Sequence, residues 1–266
     1  ILSLSLILAR YLVSFYYNYE EGSFFKIVRL SEIDFTLYSL IAESISRVDF
    51  YTDWNELEPA NKIIGFPIFS ILWHSIFYAL FNHYGFLVSE IIIYCLLIFL
   101  IFKTFYFLSK SNDEALLITI LLFLFLELLN ILNYSFNYNI LKVLKLPIYE
   151  FISHRFPRPL VTSTYLFFAL FFIQKINELN FNKISYKHIL FLGVFLSFLI
   201  NSFFYLFLSC FLTIVIFFFY KSKKDTVFHL KNNFTNIIIF FLPIIFGFLV
   251  FFLQTNLAED TYANRI

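Results

Sequence analysis

Residues 188 to 220 read HILFLGVFLSFLINSFFYLFLSCFLTIVIFFFY, apolar for 33 residues with Asn201-Ser202 in the middle. One helix of that length would extend about 50 Å at 1.5 Å per residue. That is too long for a bilayer hydrocarbon core of roughly 30 Å. The run therefore predicts two membrane helices joined by a tight turn near Asn201. Neighbouring stretches have the same character. Residues 86–108, 115–133, 159–174 and 236–253 each read as a span, and residues 66–81, FPIFSILWHSIFYALF, as a short one. Residues 1–15 read as the end of a further span.

Composition agrees. Of 266 residues, 61% are hydrophobic and 14% charged, and 42 are Phe. Soluble domains carry roughly 25% charged residues, so lipid must cover much of this surface. The expected fold is an all-α, polytopic transmembrane helical bundle, one domain over residues 1–266. The expected location is a multi-pass position in a bacterial inner (plasma) membrane, the abundance of Phe, Ile, Lys and Asn suggesting an AT-rich bacterial genome. The net charge of +1 makes no case for nucleic acid, and no such partner is expected. Cys95 and Cys210 both lie in apolar segments, which suits buried thiols and gives no disulfide framework. The chain begins with Ile1 and has no Met, so it is expected to be part of a longer protein.

Residues 16–65 form a large polar segment with nine acids against four bases. Cytoplasmic loops are enriched in Lys and Arg, so this segment is expected outside the cytoplasm. Ser31 and Asp34 resemble a helix start. Ile33, Leu37, Leu40, Ile41, Ile45 and Val48 then recur at helical spacing. They predict an amphipathic helix from Glu32 to Arg47 at the membrane surface. Asn82-His83-Tyr84-Gly85 is a turn signal, and Lys103 to Glu114 reads as a polar connection. The lysines of 175–187 and 221–231 flank the 188–220 hairpin and mark its open end as cytoplasmic. The 134–158 loop then lies outside, although an odd number of full crossings separates it from the acidic segment. The 66–81 stretch is the best candidate for a segment that does not cross completely.

This layout resembles the C-type (GT-C) superfamily of multi-spanning membrane glycosyltransferases, which use lipid-linked sugar donors. The resemblance rests on an early span, an acidic outer loop, an amphipathic helix, the Pro-led FPIFSILWHSIFYALF segment and the turn at Gly85. It implies transfer of a sugar from a lipid-phosphate donor at the outer membrane face. The family places an acid of its first outer loop at the catalytic centre, often as Asp-x-Asp or Glu-x-Asp. Glu32-Ile33-Asp34 has that spacing, and Asp53 is the alternative.

The chemistry needs such residues. A carboxylate within reach of the acceptor hydroxyl can take its proton, a role for Asp34 or Asp53. The leaving phosphate gathers charge that arginines or a divalent cation can offset. His154, Arg155 and Arg158 are the candidates for holding it, and Glu32 with Asp34 for holding Mg²⁺ or Mn²⁺. Each has a plainer reading. Asp34 suits a helix N-terminus by its charge alone, Asp53 a solvated loop, and Arg155 and Arg158 an interfacial anchor. His74 suits a hydrogen-bonded bundle residue. Glu127, deep inside a span, and His74 favour instead a transporter or flippase, whereas Glu90 lies near a span end within reach of water. A non-catalytic envelope assembly protein is the third class.

Overall fold

The computed structural model describes residues 35–50, 68–82, 84–135, 160–178, 186–222 and 234–257. Every regular element among them is helical. Eight α-helices follow in order: α1 Phe35–Ser46, α2 Leu72–Phe81, α3 Tyr84–Ser109, α4 Asn112–Ser135, α5 Leu160–Glu178, α6 Tyr186–Ile200, α7 Phe204–Ser222 and α8 Phe234–Leu257. A 3-10 turn, Ile68–Ser70, precedes α2. Stretches within α3, α5 and α8 are long and apolar enough to cross a membrane, which makes this a membrane protein by the length and composition of its helices. The chain divides into two compact units, one of Ile1–Asp49 with Ile71–Thr164, the other of Phe50–Ser70 with Tyr165–Ile266.

In the first unit α1 packs on α2, α2 on α3 and α3 on α4. The expected amphipathic helix is present from Phe35, and residues before it lie outside the described part. Its buried stripe is narrower than the pattern implied. Ile41, Ala42 and Ile45 are buried, whereas Leu40 and Val48 are exposed. The reason for Val48 is local. The helix closes with Asp49 N–H donating to Ser44 O at 2.9 Å and Val48 N–H to Ile45 O at 3.0 Å. This paired closure requires a left-handed residue, and Val48 takes it at φ 60°, which turns the side chain off the helical stripe.

Helix α2 has ten residues, about 15 Å by helical rise and half the thickness of a hydrocarbon core. Its polarity is inverted. His74, Ser75 and Tyr78 are buried, while Trp73, Ile76, Leu80 and Phe81 face outward. Water would favour the opposite arrangement; a lipid surround favours this one. Asn82, at φ 51°, ends α2, and α3 begins at Tyr84 within the expected turn. The two helices are antiparallel. A Cβ placed on Gly85 would sit 2.1 Å from Phe77 O, so the backbones touch where the hairpin closes.

The polar connection expected over Lys103 to Glu114 is much shorter. Helix α3 runs on to Ser109, and only Lys110-Ser111 separate it from α4. Lys103 does not break the helix, lysine being a good helix former, and its ammonium lies 5.4–5.7 Å from the rings of Phe99, Phe102 and Tyr106. Ser111 then starts α4, its hydroxyl accepting from Glu114 N–H at 3.4 Å, with Asp113 and Glu114 in the first turn complementing the dipole. Ala115, Thr119 and Phe123 form the buried stripe of α4, and Phe123 meets Tyr94 edge-on at 5.7 Å.

In the second unit the expected hairpin is present, with α6 ending at Ile200 and α7 starting at Phe204. Its core is aromatic. Phe168 stacks on Phe195 at 4.3 Å, Phe172 on Phe191 at 5.5 Å, and Tyr165 lies 5.2 Å from Phe198 while its hydroxyl donates to Phe69 O at 2.9 Å. Helices α6 and α8 run parallel and close. Gly193 meets Phe240 and Pro243, and Gly247 meets Ser197. Gly193, Ser197 and Asn201 recur every four residues, the small-residue spacing that lets membrane helices approach. Asn201 Nδ2 donates to Ser197 O at 3.2 Å and across to Gly247 O at 3.0 Å. Helix α7 is antiparallel to α8, Phe204 stacking on Phe251 at 5.4 Å and Phe207 meeting Phe248 at 5.5 Å. Cys210 is buried and Cys95 only half-buried, and neither is in a disulfide.

Candidate functional site

The residues expected to carry the chemistry, Glu32, Asp34, Asp53, His154, Arg155 and Arg158, all lie outside the described residues. Asp34 directly precedes α1, and Arg158 lies two residues before α5 in the sequence. Both flanking helices are in the first unit at those ends. Among the described residues, no group of three or more His, Cys, Asp or Glu side chains is placed to hold a metal ion. The Glu32 and Asp34 pair expected for Mg²⁺ or Mn²⁺ falls outside them.

What the first unit contains is a buried polar centre. His74, one turn into α2, is fully buried. Its Nδ1 is hydrogen-bonded to Ser89 Oγ on α3, across the hairpin. Ser89 has one hydroxyl proton and donates it to Phe86 O at 2.9 Å. The imidazole lies 6.5 Å from the Phe86 ring, which also flanks Tyr78 at 5.2 Å. Glu90, adjacent to Ser89, is 9% exposed, further from water than its place near a span end implied. His74 is thus the hydrogen-bonded bundle residue that its setting suggested. Glu127 lies inside α4, on the part described by backbone alone.

The start of α5 is the second polar feature. Thr162 and Ser163 are 2% and 0% exposed, and among the described residues neither Thr162 Oγ1 nor Ser163 Oγ has a hydrogen-bond partner. Their neighbour Thr164 behaves differently, donating back to Leu160 O at 2.8 Å. Thr104 and Thr119 make the same return bond to Leu100 and Ala115. Leu160 and Val161 are fully buried as well, so the first turn of α5 is enclosed. It contains no acidic side chain.

Ser89, Thr162 and Ser163 were not singled out from sequence. A hydroxyl residue in an apolar stretch looks like an ordinary back-bonded one, and only the fold shows which bond is missing. The signal available for Ser89 was His74, fifteen residues earlier across a turn, the separation at which a short helical hairpin brings two inward faces together. Comparison with protein-family models, with curated proteins and with solved structures finds no match.

Proposed function

We propose that this chain is an integral membrane glycosyltransferase that moves a sugar from a lipid-phosphate donor to an acceptor hydroxyl at the extracytoplasmic face. The observation that carries the reading is α1. It follows Glu32-Ile33-Asp34 directly, is amphipathic, and packs on α2 with Ile41, Ala42 and Ile45 buried. This supports an acidic segment tethered to the surface of an apolar helical unit. In the reaction the acceptor oxygen forms a bond to the anomeric carbon as the bond from that carbon to the donor phosphate breaks. Asp34, or in its place Asp53, takes the acceptor proton. His154, Arg155 and Arg158 bind the leaving phosphate, arginine's fork matching its oxygens. Glu32 and Asp34 are the residues that would hold Mg²⁺ or Mn²⁺, which offsets charge on the phosphate when bound.

The lysines support a multi-pass arrangement. Taking α3, α4 and α5 as three successive crossings puts the C-terminal ends of α3 and α5 on one side. Those ends carry Lys103, Lys110 and Lys175, the last 6.0 Å from the Phe171 ring. Their bases make that side cytoplasmic, and the 136–159 segment then lies outside. Helix α2, too short to cross alone, leaves the acidic segment on that same outer side.

The test is transfer from a polyprenyl-phosphate-linked sugar by membranes containing the full chain. Asp34→Asn is expected to lower transfer by about 10²-fold or more, the scale of a lost general base, with normal membrane insertion. If Asp34→Asn and Asp53→Asn both transfer normally, the assignment of the base fails. One observation favours a second reading, a transporter. The His74–Ser89 pair and Glu90 are polar groups buried among apolar helices, a setting common on substrate pathways. Solute uptake into proteoliposomes that His74→Ala abolishes, with no sugar transfer by the unaltered chain, would establish that reading instead.

A further inference from the structure

We infer that Lys103 on α3 binds the phosphate of an anionic phospholipid headgroup, in the leaflet at the C-terminal end of that helix. Helix α3 has 26 residues, about 39 Å by helical rise, and is longer than a hydrocarbon core of roughly 30 Å. Counted from Tyr84, which is 67% exposed, the roughly 20 residues needed to cross end at Lys103. The turns that remain read TFYFLSK over 104–110. Aromatic rings beside lysines are the composition of the headgroup layer. The Lys103 ammonium therefore stands at the depth of the lipid phosphates.

The surroundings of this ammonium call for an anion. Lys103 is half-buried, and its nitrogen lies 5.6 Å from the Phe99 ring, 5.7 Å from Phe102 and 5.4 Å from Tyr106. Ring faces attract a cation, but an ammonium has three N–H donors to place. Among the described residues no carboxylate or carbonyl accepts one from Lys103. Asp113 and Glu114 open α4 at the same end; both are exposed and neither pairs with it. Phe99 and Tyr106, one turn to either side, hold the side chain in place, so less freedom is lost when an anion binds. Lys110, two turns further along the same side and 5.5 Å from the Phe107 ring, adds a second positive charge. Toward the bilayer core Phe99, 50% exposed, offers ring surface to an acyl chain. A phosphate joined to acyl chains matches both features. A zwitterionic headgroup, which offsets its phosphate with its own cation, matches them less well. The site requires no sugar transfer.

The experiment places a reporter beside the lysine. Phe99→Trp is made in the full chain together with Trp54→Phe and Trp73→Phe, which leaves one tryptophan. Tryptophan is the best of the rings for holding a cation, so the setting of Lys103 is kept. The protein is reconstituted into phosphatidylcholine vesicles containing either phosphatidylglycerol or phosphatidylcholine brominated on the acyl chains, and quenching by bromine reports the lipid lying against α3. The brominated phosphatidylglycerol is expected to bind there about fivefold more tightly, the scale of one lysine at an anionic surface. Lys103→Gln is expected to bring that ratio to about one, and Lys103→Arg to keep it. A ratio of about one with Lys103 intact, or an unchanged ratio in Lys103→Gln, overturns the site. Loss of the ratio in Lys103→Arg as well would make packing its source instead of charge, and also overturns it. Inorganic phosphate added to the buffer is expected to leave the ratio unchanged; collapse of the ratio would assign the ammonium to a free anion and overturn the headgroup. If Lys103→Gln fails to insert, Lys103→Met is measured, with the same fall expected and an unchanged ratio decisive against.

Discussion

The closed end of the α2–α3 hairpin and the long seam between α6 and α8 are both made by glycine, and they tolerate change differently. At Gly85 the opposing atoms are all backbone, with Phe77 O, Phe77 C and Tyr78 N within 2.6 Å of where a Cβ would stand. The helices there are joined by a turn of a few residues, so neither can withdraw. At Gly247 the nearest atom is the Ser197 hydroxyl at 2.5 Å, which has other rotamers, with the fixed Ser197 Cα and Cβ at 3.0 and 3.1 Å behind it. Gly193 is intermediate, with one backbone oxygen, Phe240 O, at 2.6 Å and the Pro243 ring behind it at 3.3 Å. Contacts that look alike in sequence differ in what must move.

The sharpest test is Gly85→Ala. It is expected to cost on the order of 3 kcal/mol, at the upper end of overpacking, and to lower the unfolding temperature in detergent more than any other glycine change here. A loss below that of Gly193→Ala would break the comparison. Gly193→Ala is expected to cost about 2 kcal/mol and Gly247→Ala about 1 kcal/mol on the same overpacking scale. The last should be largely relieved by Ser197→Gly in the same chain, since the two positions touch and should couple. Additive losses in that double variant would show that the α6–α8 seam is as rigid as the hairpin. The smallest effect belongs to Asn201→Leu. It removes the bond to Gly247 O, and interhelical bonds of this kind contribute about 0.6 kcal/mol, rarely above 1.7. Chemical denaturation of the purified protein would resolve the series.

Much of the architecture was legible because apolar length and polar interruption dominate it. Asn201-Ser202 marked a turn inside 33 apolar residues, and the structure turns at 201–203. Asn82 to Gly85 marked another. The connection between α3 and α4 was misread because Lys103, Ser109 and Ser111 make a helix end look like a loop. The local signal was present nonetheless, Ser111 and Glu114 being spaced as a capping box. Glycine is scarce, yet three of the five glycines are where helices touch. Position mattered there, not number. For the site, sequence pointed to acids and arginines around α1 and α5, outside the described residues. The buried hydroxyls of Thr162 and Ser163 were invisible, because a missing hydrogen bond has no sequence signature.

The register of α6 against α8 has a consequence for biosynthesis. Helix α6 has fifteen residues, about 22 Å of rise, short of the roughly 20 residues that a span needs. It also exposes Ser197 and Asn201 on one side until its partner exists. That partner, α8, is complete only at Leu257, 57 residues after α6 ends at Ile200. At about 5–20 residues per second the ribosome takes roughly 3–11 s to cover that distance. During that interval α6 is held by the α5 rings it stacks on, by α7, its hairpin mate, and by whatever escorts polar segments at the site of insertion. A chain truncated between Ser222 and Phe234 should therefore leave α6 poorly retained in the bilayer, although the whole of its own sequence has been made.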